Sequence, residues 1–358
     1  IIRLQTMLLR PYIQSLRGAP AAWSLSSSRA CSSKAAAAAP GTASPKSASA
    51  SNQSAAQKAY RAALQFASER SQRLTALAAA QAEAEAAPIT MDRRIGFMGA
   101  GQMAEAMARG FLAKGLIKSD RMCCSDPNQE RKDVFASLGI TAYNTNTEVV
   151  QNCDVIMVAV KPQMVAKVLS DARPMMTPQH TIVSIAAGVT IEQILAAAGP
   201  DARVVRVMPN TPCMVGAAAS AMAMGGKANA EDETTVRNMF ESVGKIYTVD
   251  EKLLAAVTGV SGSGPAYVYI MIEALADGGV RAGLPRDIAQ GLAAQTVMGS
   301  AMMVLETGKH PGALKDMVTS PGGTTIAGVH ELEKAGVRCA LMNAVMASAD
   351  RAIEMSKL

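Results

Sequence analysis

Residues 94–104, RIGFMGAGQMA, are the most informative part of the sequence for its fold. A short apolar run ends at Met98, and Gly99, Gly101 and Ala104 follow in the spacing G-x-G-x-x-A. The first glycine permits a tight turn, the second lets a pyrophosphate approach the backbone, and the alanine allows close packing of helix on strand. The amide end of the next helix offers free N–H groups and partial positive charge to phosphates. The spacing alone also fits a structural glycine turn, but after a strand and before a helix it predicts a dinucleotide site.

Short apolar runs rich in Val and Ile recur beyond this turn, separated by segments that fit helices. Runs without polar alternation are typical of parallel strands buried on both faces. Repeated strand–helix units predict a doubly wound sheet of the Rossmann type. The predicted strands are Arg94–Met98, Arg121–Ser125, Asp154–Val160, Thr181–Ala186 and Val204–Met208, with Ser220–Met224 and Lys245–Val249 as candidate extensions of the sheet.

The C-terminal hundred residues carry a helical pattern instead. Residues 264–307 predict two long helices broken at Gly283-Leu284-Pro285, because a glycine followed closely by proline ends one helix and starts another. Further helices are predicted at Ser320–Lys334 and Val337–Lys357. These helices are apolar on more than one face, and such a unit usually buries its faces against a partner. The pattern predicts at least a dimer.

The fold class predicted from these patterns is α/β, with an N-terminal Rossmann-type doubly wound sheet followed by an all-helical C-terminal dimerisation domain. The predicted domains are residues 91–257 for the dinucleotide-binding part and residues 258–358 for the helical dimerisation and substrate part. Residues 1–90 stand apart from both domains.

The first 90 residues differ in composition from the remainder. Residues 1–68 contain no Asp or Glu but many Arg, Ser and Ala, which is the mark of an organelle transit peptide. Ala35–Ser54 is of low complexity and predicts disorder, and residues 55–87 read as a helical linker or more of the transit segment. The alternative is an unstructured tail that has no targeting function. The composition predicts import into a plastid or mitochondrion without distinguishing them.

Charge and composition exclude several classes of function. The formal net charge is +6, but ten of the 35 basic and three of the 29 acidic residues precede residue 91, so the remainder holds 25 basic and 26 acidic residues. This balance argues against a nucleic-acid surface. The sequence contains no run of about 18 strongly apolar residues, so it predicts no membrane span. The six Cys form no C-x-x-C pair and lie far from the three His in sequence, so no metal site is predicted.

Residues at the ends of the predicted strands give mixed information on the cofactor. Asp126 follows the second strand, where an acid would accept from the ribose 2′-hydroxyl of NAD and repel the 2′-phosphate of NADP. Ser125, Asn128 and Arg131 lie beside it and could instead hold that phosphate. Lys161, at the end of a later strand, fits either the ligand crevice or a solvated strand end. The choice between NADPH and NADH stays open.

Three later stretches carry a family resemblance: VMPNTP at residues 207–212, TGVSGSGPA at 258–266 and LKDMVTSPGGTTI at 314–326. With GFMGAGQM and AVKP they resemble the pyrroline-5-carboxylate reductases, and HELEKAGVRCALMNAV resembles the plant-type members. The resemblance runs from about Arg94 to the C-terminus. It implies an NAD(P)H-dependent reductase that converts 1-pyrroline-5-carboxylate to L-proline, the last step of proline biosynthesis. It also implies an interlocked dimer, which in many members assembles into a decamer.

The resemblance also assigns roles to matching positions. Thr325 is implied as the catalytic residue, bonded to the substrate nitrogen. The implied substrate-binding residues are Gly322, Gly323, Thr324, Thr325 and Ser263. Asn210 is implied as part of the crevice wall. The implied dinucleotide contacts are Gly99, Ala100, Gly101, Gln102, Met103, Ser125, Asn146, Ala159, Val160, Lys161, Pro162, Ile185, Ala186 and Ala187.

The residues of the SPGGTT stretch fit this chemistry when read by themselves. A threonine hydroxyl is a weak acid, so Thr325 is expected to orient and polarise an imine nitrogen and not to supply its proton. A serine N-cap at Ser320, Pro321 in the first turn and exposed glycine amides would form an anion site for the substrate carboxylate. An ordinary capped helix start is the structural alternative.

Two other functions compete with the reductase. A 3-hydroxyacid dehydrogenase would carry a catalytic lysine in a Gly-x-x-x-Lys pattern after the Rossmann domain, and residues 258–290 contain no such pattern. A non-catalytic NADP-binding sensor would need the glycine turn but not the SPGGTT stretch or Thr325. The presence of both features favours catalysis.

Overall fold

The computed structural model describes residues 91–357 of the 358-residue chain. The predicted transit peptide and linker, residues 1–90, lie outside the described residues. The described part begins with a sheet-containing region and ends with a set of helices, in the order that the sequence predicts.

The sheet-containing region holds one eight-stranded sheet in the order β3-β2-β1-β4-β5-β6-β7-β8. All neighbouring strands are parallel except β6 and β7, which are antiparallel. This topology confirms the predicted Rossmann-type doubly wound sheet. The strands are β1 Ile95–Met98, β2 Met122–Ser125, β3 Thr141–Tyr143, β4 Val155–Val158, β5 Thr181–Ser184, β6 Arg203–Met208, β7 Ala218–Gly226 and β8 Gly244–Thr248.

Helices cover the sheet and bury its central strands on both faces. Alternate residues of one strand point to opposite faces, so Phe97 joins one apolar cluster and Met98 joins the other. Continuous apolar strands are required because both faces are covered. The helices of this region are α1 Gln102–Ala113, α2 Gln129–Ser137, α3 Asn146–Gln151, α4 Val165–Ala172, α5 Ile191–Ala198, α6 Ala230–Glu241 and α7 Leu254–Val257.

The structure adds to the predicted sheet and corrects several strand ends. The third strand, β3, was absent from the prediction because it has only three residues at the edge of the sheet and is partly exposed, so it carries no continuous apolar run. Strand β4 ends at Val158 and β5 at Ser184, two residues before the predicted ends. The residues beyond these ends form the loops of the crevice described below.

Helices alone make up the C-terminal region. They are α8 Gly264–Arg281, α9 Arg286–Thr307, α10 Pro311–Met317, α11 Thr324–Lys334 and α12 Val337–Met355. The predicted break between the two long helices is confirmed, with Gly283 in the left-handed conformation at φ 102°. Three small side chains, Ala276, Ala289 and Ala293, form the buried contact of α8 with α9. This contact leaves most large apolar side chains of these helices exposed.

Two details of the helical prediction are wrong. Helix α11 begins at Thr324 with Gly323 as its N-cap, and Ser320 instead closes a turn in which its carbonyl accepts the Gly323 N–H at 3.1 Å. The sequence also predicts a loop at His310, but His310 caps α10, with Nδ1 accepting the Gly312 N–H at 3.1 Å. The imidazole of His310 thus performs the capping that Ser usually provides, whereas Gly323 forms no side-chain cap.

By length and composition alone, the prediction that no segment could span a bilayer is wrong. Two helical stretches, Glu251–Arg281 and Arg286–Thr307, have the length and composition of a membrane span, and little of either is buried in the chain. One or two such helices are weak indicators of a membrane protein. The same exposed apolar residues are expected of helices that bury their faces in a dimer.

Candidate active site

The candidate site lies at the carboxyl ends of the parallel strands. Strand β1 pairs with β2 on one side and with β4 on the other, so the strand order reverses beside β1. In open α/β sheets, ligands bind in the crevice outside the strand ends at such a switch point. The loops that follow β1, β2, β4, β5 and β6 therefore surround one crevice.

The glycine turn after β1 has the geometry of a phosphate cradle. Gly99 has φ 94°, and a Cβ there would lie 2.8 Å from the Ala159 carbonyl oxygen, so only glycine fits. A Cβ on Gly101 would meet no atom of residues 91–357 within 4 Å apart from its chain neighbours, which leaves its face open. Gly101 is the N-cap of α1 and supplies no side-chain hydrogen bond, so the first-turn amides of this helix have no side-chain acceptor at the cap. These features fit a dinucleotide pyrophosphate.

The last residue of β2, the residue after it and one residue of α2 form hydrogen bonds with the backbone of this turn. The Ser125 carbonyl accepts the Gly99 N–H at 2.8 Å, and Asp126 Oδ2 accepts the Ala100 N–H at 2.8 Å. Arg131 Nε donates to the Ala100 carbonyl at 2.7 Å. Arg131 therefore contacts the turn from behind, where the sequence had suggested a contact with a 2′-phosphate.

A carboxylate completes this support. Glu105 of α1 accepts from Arg131 and from Arg109, with N···O distances of 2.7 and 2.8 Å. The hydrogen bond from Arg131, more than the other contacts, lowers the pKa of Glu105 below its ordinary value. The Arg131 side chain thus joins α2 to both the turn and α1.

The predicted cofactor residue Ser125 is almost wholly buried, and its hydroxyl donates to Asn146 Oδ1 at 2.6 Å. Asn146 is the first residue of α3, whose N-cap Thr145 forms a capping box with Glu148. The structure thus brings Ser125 and Asn146 together at the carboxyl end of β2. The sequence had made Ser125 a candidate through its place beside Asp126, whereas Asn146 was assigned by resemblance alone.

The ends of β4 and β5 form the other wall. The chain leaves β4 through Ala159 and Val160, and Lys161 precedes a short 3₁₀ turn at Pro162–Met164. The Lys161 side chain is exposed and has no carboxylate partner within residues 91–357. After β5, the segment Ile185–Ala187 carries two alanines before Gly188 turns with φ 77°.

Asn210 joins the sheet region to the helical region. It is buried, its Oδ1 accepts the Ala219 N–H at 3.0 Å, and its Nδ2 donates to the Ser261 carbonyl at 3.1 Å. Ser261 lies in a π-helical turn, Thr258–Gly262, which the sequence did not predict. Such turns are rare and occur frequently at functional sites.

The π-helical turn places Ser263 at the start of α8. The Ser263 N–H donates to the Thr258 carbonyl at 2.8 Å, and the Ser263 hydroxyl shares a hydrogen bond of 2.7 Å with Ser348 of α12. A Cβ on Gly262 would lie 2.5 Å from Met208 Cε, so this turn packs closely on the end of β6. Ser263 is therefore held close to the crevice wall that Asn210 forms.

The SPGGTT loop occupies a different place. Gly322 is left-handed at φ 66°, and Gly323 caps α11 without a side-chain hydrogen bond. Neither the Thr324 nor the Thr325 hydroxyl forms a hydrogen bond with residues 91–357. Within that part of the chain, no hydrogen bond joins this loop to the crevice. Besides the N-terminus of α1, a single chain thus has a second helix N-terminus without a side-chain cap, that of α11. Helix α11 packs on α12.

The buried thiols near the crevice are poor nucleophiles. Burial raises the pKa of Cys124 on β2 to about 12 and that of Cys213 to about 11. Cys213 contacts Met103 of α1, with an S···S distance of 3.5 Å. Thiols with such pKa values stay protonated at neutral pH, so they serve packing and not covalent catalysis.

The fold, the open glycine turn and the switch-point crevice define a Rossmann-type oxidoreductase with a helical dimerisation region. The family model for pyrroline-5-carboxylate reductase dimerisation matches residues 251–355. The model described as NADP oxidoreductase, coenzyme F420-dependent, matches residues 94–188. The two matches correspond to the helical region and to the first half of the sheet region.

Whole-chain comparisons give the particular family. Pyrroline-5-carboxylate reductase of Arabidopsis thaliana is 53% identical over 265 residues, covering 74% of this chain and 96% of that protein. The Pisum sativum enzyme of the same name is 52% identical over 273 residues, covering 76% of this chain and all of that protein. This chain belongs to the pyrroline-5-carboxylate reductase family.

Solved structures agree with the sequence relatives. The Plasmodium falciparum pyrroline carboxylate reductase with NADP bound has a TM-score of 0.69 and 35% identity, covering 75% of this chain and 99% of that chain. The Coxiella burnetii pyrroline-5-carboxylate reductase has a TM-score of 0.71 and 32% identity, covering 75% of this chain and all of that chain. The predicted fold class, family and nicotinamide dinucleotide class of cofactor are confirmed.

Proposed function

We propose that this protein reduces the C=N bond of 1-pyrroline-5-carboxylate to give L-proline, the last step of proline biosynthesis, with NADPH or NADH as the reductant. The observation that carries the proposal is the open face of Gly101 at the switch point of the sheet, in a chain that also carries the SPGGTT loop at a free helix N-terminus. The dinucleotide phosphates would bind at the N-terminal amides of α1, and the substrate carboxylate at those of α11.

The cofactor is assigned to the residues that surround the crevice. Reduced nicotinamide, when bound, supplies the hydride that the imine carbon accepts. The first turn of α1 would bind the pyrophosphate, Ser125 and Asn146 the adenosine end, and the loops after β4 and β5 the nicotinamide end. The residues proposed for this binding are Gly99, Ala100, Gly101, Gln102, Met103, Ser125, Asn146, Ala159, Val160, Lys161, Pro162, Ile185, Ala186 and Ala187.

The substrate is assigned to the start of α11. The N–H groups of Thr324 and Thr325, with Gly322 and Gly323 before them, would hold the carboxylate, since helix amide ends favour anions. The Thr325 hydroxyl would bond to the ring nitrogen and orient the C=N bond. Ser263 would form the opposite wall. Because Thr325 is a weak acid, its role is orientation and polarisation.

A dimer would complete each site. Within residues 91–357 no hydrogen bond connects the SPGGTT loop to the crevice, and the helical region exposes large apolar faces. We propose that assembly of two copies brings one SPGGTT loop to each crevice, and that dimers assemble further into a decamer. We also propose domain limits of 91–257 and 258–358, and import into an organelle directed by residues 1–90.

The experiment is oxidation of NADPH or NADH by the purified full chain, followed by absorbance with and without 1-pyrroline-5-carboxylate, with chromatographic detection of proline. The expected result is cofactor oxidation that requires the substrate and forms one proline per dinucleotide. Binding of the dinucleotide without turnover would instead indicate a sensor. Reduction of NAD+ or NADP+ by a 3-hydroxyacid in a parallel assay, without turnover of the imine, would indicate a dehydrogenase.

A further inference from the structure

The first residue after β2 faces the part of the crevice where the two nicotinamide dinucleotides differ. In Rossmann domains, the residue at this strand end meets the adenosine ribose, which carries a 2′-hydroxyl in NADH and a 2′-phosphate in NADPH. Here that residue is Asp126, which is partly buried beside the glycine turn. A carboxylate at this position accepts a hydrogen bond from a hydroxyl and repels a phosphate.

The side chain of Asp126 is fixed at this place by two backbone amides. Its Oδ2 accepts the Ala100 N–H and its Oδ1 accepts the Asn128 N–H, each at 2.8 Å. The first contact ties the carboxylate to the turn that would hold the pyrophosphate. Rotation of the carboxylate away from an incoming phosphate would break both bonds, so the negative charge stays where it is.

The cations on the neighbouring helix α2 already have partners. Arg131 donates to the Ala100 carbonyl and to Glu105, each at 2.7 Å. Lys132 donates to Asn144 Oδ1 at 2.8 Å. A 2′-phosphate would therefore meet a fixed carboxylate, and recruiting Arg131 would require the loss of its ion pair with Glu105.

We infer that Asp126 determines the choice of cofactor in this protein and favours NADH over NADPH. The inference deepens the proposed function, since it rests on dinucleotide binding at this crevice. A like-charge contact of this kind costs enough to change the ratio of the two affinities roughly tenfold. The Ala100 contact gives Asp126 a second role in supporting the turn, and that role affects both cofactors equally.

The test measures the dissociation constants of NADH and NADPH separately, by fluorescence titration of the full chain without substrate. The variants are Asp126→Asn, which removes the charge and keeps the shape, and Asp126→Ala, which also removes the contact with Ala100. Asp133→Asn is the matched control, because it removes an exposed carboxylate of α2 that bonds only to Gln129 among the described residues. Thermal unfolding of each variant without cofactor checks that it is folded.

The quantity that decides is the ratio of the NADPH to the NADH dissociation constant. We expect this ratio to fall roughly tenfold in Asp126→Asn and Asp126→Ala, and to stay unchanged in Asp133→Asn. In the unaltered chain the ratio should also fall as salt rises, because salt screens the repulsion. An unchanged ratio in both Asp126 variants would overturn the inference and leave Asp126 as a support of the turn alone. Absence of binding by either dinucleotide to the unaltered chain would overturn the proposed function and the inference with it.

Discussion

The sheet region and the helical region of this chain bury their apolar residues in opposite ways. The sheet region encloses Phe97, Phe111 and Phe240 completely. From α8 to the end of the described residues, the buried apolar side chains are four alanines, whereas Ile270 is 65% and Leu292 is 55% exposed. The sheet region has a complete hydrophobic core, whereas the helical region leaves most of its large apolar side chains exposed in a single chain.

This difference indicates how the protein is stabilised. Burial of apolar surface is the main favourable contribution to folding, and the sheet region buries most of its large apolar side chains within one chain. The helical region buries its apolar surface by association, so its stability depends on the concentration of the chain. The two regions are joined at Asn210, whose side chain bonds to Ala219 of the sheet region and to Ser261 before α8.

The largest effect is expected from a charge placed on the exposed helical faces. Ile270→Glu or Leu292→Glu should weaken self-association by about 3 kcal/mol, because a carboxylate would be buried in an apolar interface. Sedimentation of the full chain across a range of concentrations measures this. The control is Gln295→Glu, which adds the same charge at an exposed polar position of α9. Unchanged association in both leucine and isoleucine variants would place the interface elsewhere.

A smaller effect is expected at the glycine turn, where two glycines should respond differently. Gly101→Ala should weaken dinucleotide binding by about 2 kcal/mol with unchanged stability, because the added Cβ enters the open face and meets no neighbouring side chain within residues 91–357. Gly99→Ala should lower the free energy of unfolding as well, since its φ is 94° and its Cβ would approach the Ala159 carbonyl. Calorimetric titration and chemical denaturation separate the two quantities. Equal losses of stability would contradict the assignment of Gly101 to the cofactor.

Removal of one hydroxyl tests the helical region directly. Thr325→Ala should lower turnover at least tenfold, which is about 1.4 kcal/mol of barrier, with little change in cofactor affinity. Thr325→Ser keeps the hydroxyl and should retain most of the activity. Steady-state kinetics with a separate binding measurement distinguishes these outcomes, and wild-type turnover in Thr325→Ala would remove the residue from the mechanism.

The smallest effect concerns the ion pair behind the turn. Arg131 lowers the pKa of Glu105 below its ordinary value of 4.5, so the stabilisation is fully present above that pH and is lost as pH falls through the lowered pKa. Glu105→Gln should therefore cost less than about 1 kcal/mol at neutral pH and nothing in strong acid. Denaturation at several pH values measures this. A difference that persists in strong acid would assign the loss to packing.

The sequence could predict those features that a repeated pattern or a special residue specifies. Continuous apolar runs identified the central strands, and Gly99 identified the turn, because both requirements act within a few residues. Strand β3 and the π-helical turn at Thr258–Gly262 were not predicted, because each is short and is held by neighbours distant in sequence.

The site shows the same division. Gly101 could be assigned from its spacing, but the contact between Asp126 and the Ala100 amide joins residues 26 positions apart and needs the folded sheet. The N-cap at Gly323 was misplaced at Ser320, because a serine before a proline fits a helix start as well as a turn. The roles of Thr325 and Ser263 came from family resemblance and stay predictions.

We propose that two helix N-termini, those of α1 and α11, converge on one site, the first holding the dinucleotide phosphates and the second the substrate carboxylate. A crystal structure of the full chain with dinucleotide and proline would show both ligands at once. We expect the nicotinamide C4 within about 3–3.5 Å of the proline ring carbon, with the proline carboxylate on the amides of Thr324 and Thr325. Ligands bound far apart on separate surfaces would contradict it.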